Sequence, residues 1–269
     1  MQRMTSTTMN DHPAEGAIRR VKSAERTLEL LDTLSRASEP LSVADLHRAL
    51  GYPRSSFHQL IHTMTDTGWV EMTPDGRVMI GPRALAVGTS YLDRDAALPA
   101  ARTALEQLRD ATGYTAHFAR LDGAHVLYLD SRYAHNAARA TSRVGRHLPA
   151  TATSLGKALL AELSVSELDR ALPAAPYPAL TPHSITTRER LDEDLDRIRR
   201  DGYALEEEEN TLGVTCIAAA IPYRIPATDA ISCSMPLSHA TTEERARVAR
   251  IVTAAARDLA AELRSKGLR

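Results

Sequence analysis

The sequence predicts an α+β protein of two unequal domains. A small N-terminal module of three helices closed by a β-hairpin precedes a larger module of helices around an antiparallel sheet. Three observations predict it. The chain has 269 residues, more than the ~100–200 usual for one domain. Up to Thr67 apolar residues recur at helical spacing, and from Trp69 two short runs flank Pro74-Asp75-Gly76. Beyond Ala96 helical stretches are followed by runs of period two around turn residues. We place a polar tail at 1–17, the small module at 18–81, a linker helix at 82–95 and the larger domain at 96–269.

The tail, rich in Thr, Ser, Asn and Pro, is aperiodic and reads as disordered. Ile18-Arg19-Arg20-Val21-Lys22 is a short basic arm leading into a first helix over about Ser23–Ser35. There Ala24, Leu28, Leu31 and Leu34 are expected to share the inward face. Ser38-Glu39-Pro40 breaks this helix. Ser42 is expected to cap a second helix, Val43–Leu50, with Asp45 complementing its N-terminus. Gly51-Tyr52-Pro53 is a connector of the length a helix-turn-helix uses. Gly51 suits the left-handed stop of one helix and Pro53 the start of the next. The third helix, about Arg54–Thr67, turns Phe57, Leu60, Ile61 and Met64 inward. Arg54, Ser55, His58, Gln59 and His62 then face outward. With the hairpin Trp69–Met72 and Arg77–Ile80, the module is a winged helix-turn-helix. A helix from Pro82 to about Arg94 carries Leu85, Val87 and Leu92 and reads as a linker that can pair with its copy in a dimer.

In the larger domain the pattern predicts a helix over about Leu98–Thr112 and strands Tyr114–Leu121 and Ala124–Ser131 around Asp122-Gly123. A loop with Gly145 and Pro149 leads to a helix at about Ser154–Leu163, then a Pro-rich surface connector. A charged helix over Thr187–Asp201 precedes strands near Tyr203–Glu207, Val214–Ile221 and Ala230–Met235. The last helix, Thr242–Leu263, repeats Val248, Ile251, Val252, Ala255 and Leu259.

Hydrophobic residues at 43% and charged residues at 25% describe an ordinary globular chain, with formal net charge −1. The first eighty residues hold nine Lys/Arg against ten Asp/Glu, so nucleic-acid binding has to rest on where charges fall. No apolar run approaches the ~20 residues of a membrane helix, and the N-terminus has no signal-peptide core. The expectation is a cytoplasmic protein, with Cys216 and Cys233 in a reducing compartment. Gly156-Lys157 lacks the upstream glycine of a phosphate-binding loop. His117, His125, His135 and His147 lack the close pairing of zinc ligands, and there is no nucleophile elbow. No cofactor or metal is expected.

Arg54, Ser55, Ser56, His58 and Gln59, at the start of the third helix, are the side chains a recognition helix presents to the major groove. Arg77 on the wing, with Arg19, Arg20 and Lys22 in the arm, suits phosphates or a narrow minor groove. Against this stands the plain reading that they are one solvated helix face; turn length, Gly and Pro placement, wing and arm together favour duplex DNA.

The segment Val21–Gly88 resembles the DNA-binding domain of IclR-type transcriptional regulators. The likeness continues in VGRHLPATATSLGKALLAEL (Val144–Leu163), DGYALEEEENTLGVTCIAAAI (Asp201–Ile221) and AISCSMP (Ala230–Pro236). It implies a GAF-like effector-binding domain, a homodimer or homotetramer, and repression or activation through operator DNA modulated by a small organic carboxylate, aromatic ones included. It further implies an effector site of Ser154, Leu155, Glu206, Cys216, Ser232 and Ser234. A helix start and two hydroxyls suit an anion. Read without the resemblance, Cys216 is a small buried hydrophobe, the two serines share a strand face, and Glu206-Glu207-Glu208-Glu209 is a solvated charge run. An enzyme using Cys216 or the acidic run is the rival class, but the sequence places no base beside Cys216 and the acids are contiguous. A DNA-binding architectural protein with a purely dimerising C-terminal domain is the third reading. The expectation is a regulator of a catabolic operon, not an enzyme.

Overall fold

The structure, a computed structural model, describes residues 21–135 and 144–269. It divides into two compact units, one up to Asp93 and one from Arg94. Of the basic arm, only Val21 and Lys22 fall within the described residues.

The first unit begins with α1 (Lys22–Arg36). Its buried stripe is Leu30 and Leu34, with Leu31 half-buried; Ala24 is exposed and Leu28 is 63% exposed. The expected stripe was therefore rotated. The leucines of this helix form two overlapping i, i+3/i+4 sets, and only the one through Leu30 meets the core. The Ser42 Oγ accepts the Asp45 N–H at 3.1 Å at the start of α2 (Val43–Leu50). Gly51, at φ 67°, ends α2 in the left-handed conformation that a side chain would resist. Then α3 (Arg54–Asp66) begins. Leu30, Leu34, Leu46, Phe57, Ile61, Met64, Val70 and Val78 form one core. The wing consists of β2 (Val70–Met72) and β3 (Arg77–Ile80), with Val70 opposite Ile80. A two-residue strand, β1 (Leu41–Ser42), adds to the outside of β3. The fourth helix, α4 (Pro82–Asp93), buries none of its residues.

The second unit is α+β. After α5 (Leu98–Thr112) come β4 (Thr115–Asp122), β5 (His125–Arg132) and β6 (His147–Pro149). Next are α6 (Ser154–Leu160), α7 (Val165–Ala171) and α8 (Arg188–Asp201). The chain closes with β7 (Ala204–Glu207), β8 (Val214–Ala220), β9 (Asp229–Pro236) and α9 (Thr242–Ser265). The six strands are ordered β6-β5-β4-β9-β8-β7, and every pairing is antiparallel. One sheet face meets α5 and α9, where Thr112 touches Cys233. On the other, α6 and α8 bury Leu155, Ala158, Leu159, Leu191 and Leu195 against Ala119, Ala204, Ala218 and Ala230. Alanines on the strands let α6 lie close to the sheet. Closeness also explains Gly156, where a Cβ would stand 2.2 Å from the Ala150 carbonyl oxygen.

Among the described residues no helix is long and apolar enough to cross a membrane. Three short elements escaped the sequence reading: β1, α7, and β6 in a segment expected to be loop. A capping box starts α7, the Ser164 side chain taking the Glu167 N–H while Glu167 takes the Ser164 N–H. β6 is held by pairing with β5, Leu148 opposite Val126.

Candidate functional site

Two groups of predicted residues lie in two different units. In the first unit α3 points Phe57, Ile61 and Met64 into the core, so helical geometry turns Arg54, Ser55, His58 and Gln59 to solvent. No carboxylate stands in the first turn of α3, which leaves the positive end of its dipole uncompensated beside Arg54. Ser56 is half-buried and does different work: its hydroxyl donates to the Pro53 carbonyl at 3.0 Å and accepts from the Arg26 guanidinium at 3.4 Å. Arg26 also lies over the Tyr52 ring, 4.9 Å from its centroid. Tyr52 in turn donates to Glu29. These contacts hold the first turn of α3 against α1.

On the wing, Arg77 is exposed but engaged. Its Nε donates to Asp75 at 3.1 Å and its Nη1 to the Pro40 carbonyl at 3.3 Å. That pairing stiffens the turn and offsets part of the wing's positive charge. Lys22 is exposed at the start of α1. Arg19 and Arg20 lie outside the described residues.

In the second unit, strand alternation assembles the other group. Residues paired across an antiparallel ladder share a face. Glu206 is opposite Cys216, Cys216 opposite Ser234, and Ser234 opposite Thr115. One step along, Ala218 is opposite Ser232, Ser232 opposite His117, and His117 opposite Ser131. All of them lie on the face that α6 covers, the side of Ala119, Ala204 and Ala230. Four of the six predicted residues thus share one patch. The other two, Ser154 and Leu155, open α6 itself, and both are buried. The side chain of Leu155 belongs to the core, so any polar contribution there comes from the backbone.

Polar contacts knit this patch. The Cys216 sulfur and Ser234 hydroxyl are 3.0 Å apart. Glu206 is 2% exposed, and its Oε1 accepts the Glu209 and Asn210 backbone N–H groups at 2.6 and 3.1 Å. Burial pushes its carboxyl up to about 7, against the lowering pull of the Asn210 N–H. Burial likewise raises the Cys216 thiol well above its ordinary range, with the Glu206 charge adding to the rise. A thiol held in that form is a poor nucleophile.

Sequence reasoning missed two neighbours. His117, weighed only as a zinc ligand, is 4% exposed, with Nδ1 2.9 Å from the Ser131 hydroxyl. Burial pushes it down to about 4, so its ring is neutral. Alternation with Ala119 was the available signal. Lys157 is fully buried, its Nζ 2.5 Å from Glu209, 2.7 Å from Asp194 and 3.0 Å from the Leu205 carbonyl. The Glu206–Glu209 run is therefore not a solvated stretch: Glu206 and Glu209 turn inward, with Glu208 at φ 58° in the bend between them.

Comparison with known proteins finds a family match in each unit. A family model described as the IclR helix-turn-helix domain matches residues 23–74, and one described as the bacterial transcriptional regulator IclR C-terminal matches residues 89–261. The chain is 33% identical to the HTH-type transcriptional regulator XynR of Escherichia coli K12 over 75% of this chain and 80% of that protein. It is 31% identical to the transcriptional repressor IclR of the same strain over 92% and 90%. An IclR homologue from Microbacterium hydrocarbonoxydans, crystallised with 4-hydroxybenzoate, superposes with a TM-score of 0.72 at 25% identity, covering 90% of this chain and 99% of that one.

Proposed function

This chain belongs to the IclR family of DNA-binding transcriptional regulators, and from that premise we propose that it reads operator DNA with α3 under the control of a small organic acid bound against the β7-β8-β9-β4 sheet face. The observation that carries the effector reading is the cross-strand row Glu206–Cys216–Ser234–Thr115, buried at Glu206 and half-buried along the rest, flanked by Ser232, His117 and Ser131. Hydroxyls and a neutral imidazole in an otherwise alanine- and leucine-lined layer suit one polar head group on an apolar body. The relative crystallised with 4-hydroxybenzoate supports an aromatic carboxylate as one such ligand. Ser154 and Leu155 at the start of α6 lie on the covering side of the same layer.

For DNA, the proposed contacts are Arg54, Ser55, His58 and Gln59 to base edges and Lys22, Arg19, Arg20 and Arg77 to phosphates or the minor groove. Ser56 takes part by seating α3. The apolar, unburied surface of α4 supports self-association as a homodimer or homotetramer, which would present two reading heads to an inverted repeat in the cytoplasm. Ligand control then requires that the acid bind two subunit arrangements with different affinity. Control of a catabolic operon is the role we assign.

The test is a gel shift of the full chain on its own upstream region, with a panel of aliphatic and aromatic acids, beside thermal denaturation with the same panel. A specific shift that one acid alters, and that acid's stabilisation lost in a Ser232→Ala/Ser234→Ala double variant, is the expected result. A chain that binds the operator identically whatever acid is present, with no thermal response to any, removes the effector reading and leaves a ligand-insensitive DNA-binding protein.

A further inference from the structure

A separate cavity opens at the start of the second unit. It has a volume of about 310 Å³, and its walls include Arg94, Asp95, Arg120, Tyr223, Arg224 and Thr228. That size is at the lower end for metabolite pockets. Its residues come from the segment just before α5, the end of β4, the loop between β8 and β9 and, after α9, Leu268; none of them belongs to the polar patch under α6.

The charges in its wall divide into two sets. Arg120 is saturated: its Nη1 donates to Asp95 at 2.6 Å, and its Nε and Nη2 clasp Asp229 at 2.6 and 2.9 Å. Asp229, with no exposed surface, also accepts from the Tyr223 hydroxyl at 2.5 Å. Asp95 spends its other oxygen on the Ala97 and Leu98 N–H groups at 2.9 and 3.1 Å, which start α5. Both carboxylates are thus committed to Arg120 and the backbone. Arg94 and Arg224 form the second set. Among the described residues neither is paired with a carboxylate. Arg224 lies over the Tyr223 ring, 4.5 Å from its centroid, which fixes the guanidinium in place. Its Nε is buried with no hydrogen-bond partner, and so is the Thr228 hydroxyl in the same wall. Buried donors left unmade are costly. Two uncompensated guanidiniums, one of them pre-oriented, and two unsatisfied polar atoms around one cavity ask for the same thing: an acceptor carrying negative charge.

We propose that this cavity is a second small-molecule site, distinct from the sheet-face site, and that it takes an oxyanion, the carboxylate or phosphate group of a metabolite, on Arg224, Thr228 and Arg94. An oxyanion held between Arg94 and Arg224 ties the first residues after α4 to the loop between β8 and β9. Occupancy therefore restricts the stretch where one unit gives way to the next, a place where a ligand can modulate a regulator without touching α6.

The test is calorimetric titration of the full chain with inorganic phosphate, glycerol phosphate, acetate and benzoate, each at ionic strength matched with chloride. Saturable binding of a phosphate or carboxylate probe is expected, with the two arms separating the sources. Arg224→Ala should weaken it by about tenfold or more and Thr228→Val by about threefold. Ser232→Ala/Ser234→Ala, in the sheet-face patch, should leave it unchanged, so this proposal and the effector reading fail separately. Arg94→Ala, at an exposed side chain, is the second arginine variant should Arg224→Ala fold poorly, and it too should weaken binding. No saturable heat above the chloride control overturns the proposal. So does an affinity that Arg94→Ala, Arg224→Ala and Thr228→Val all leave intact, or one lost only in the serine double variant.

Discussion

The Lys157 ammonium lies 2.5 Å from the Glu209 carboxylate, with no exposed surface on the lysine side chain. One residue of α6 thereby crosses the layer to the bend after β7, with Asp194 of α8 at 2.7 Å as a second counter-charge. Removing the cation strands the buried Glu209 carboxylate and leaves Asp194 with Arg197 as its counter-charge. Lys157→Ala is expected to lower unfolding stability by about 3–5 kcal/mol in urea titrations at neutral pH, as broken buried pairs do. Lys157→Ala/Glu209→Gln should recover part of that loss, because it removes the stranded charge. Equal destabilisation in single and double variants would assign the cost to packing.

Gly156 faces a carbonyl oxygen at a distance no methyl group tolerates. Gly156→Ala is expected to push α6 off the 150–152 turn and destabilise the second unit by about 1–3 kcal/mol. It should also disturb ligand response, because α6 covers the sheet face. An unchanged unfolding midpoint would show that the turn, not the helix, gives way.

On α3, Arg54 is exposed at the helix start and Ser56 is tied to Arg26. Arg54→Ala is expected to cost about 1–3 kcal/mol of operator affinity and to relax preference at one base pair, as loss of a direct base contact does. Ser56→Ala should weaken binding to all sequences alike, through a looser α3, and lower the unfolding midpoint slightly. Fluorescence anisotropy on operator variants separates the two patterns.

Much of this arrangement is readable in the residues because its determinants are local. Gly51, Pro53 and the Phe57–Ile61–Met64 stripe specify a turn and a recognition helix without reference to the rest of the chain. What escaped depends on contacts distant in sequence. The leucines of α1 offer two stripes, and only the position of the core chooses the one through Leu30. Nothing near Glu206–Glu209 announces that the partner of Glu209 is Lys157, which stands about fifty residues earlier, so without the family resemblance four consecutive acids read as solvated. β6 is three residues long and exists only because β5 lies beside it. In contrast, α7 carried a local signal that went unread, the Ser164-Val165-Ser166-Glu167 capping box. In the sheet-face patch, alternation predicted that Ser232 and Ser234 share a face, but the pairing that adds His117 beside them required the strand order.

On α4, Leu85, Val87 and Tyr91 are 70%, 51% and 48% exposed. Apolar side chains collected on one unburied helix are a contact surface in search of a partner. Under the proposed self-association, Leu85→Glu should shift the chain toward monomer in sedimentation velocity at micromolar concentration and reduce binding to a two-half-site operator more than to a single half-site. A parent chain already monomeric under those conditions would move the contact elsewhere or abolish it.

Protonation of Glu206 gives the sheet-face patch a pH dependence whose sign can be worked out. Burial raises its carboxyl from 4.5 to about 7, so between those values the folded chain keeps a proton that the unfolded chain has released. Stability from this group is present at low pH, is lost as pH rises through about 7, and is level above that. Glu209, also raised by burial, acts in the same direction. His117 opposes both. Burial takes it from 6.5 to about 4, so its contribution grows as pH rises across that interval. The opposing slopes overlap up to pH 6.5, and the acids alone act just above it. Glu206→Gln keeps an oxygen for the Glu209 and Asn210 N–H groups while removing the titration. Its stability relative to the parent should therefore climb with pH, by up to ~3 kcal/mol across the whole window, in urea titrations from pH 4.5 to 8. An anionic effector should meet less repulsion while Glu206 is protonated, so its affinity should fall as pH passes 7 in the parent and stay level in the variant. Parallel stability curves would mean that Glu206 is ionised throughout, and the patch would then repel an acid instead of receiving one.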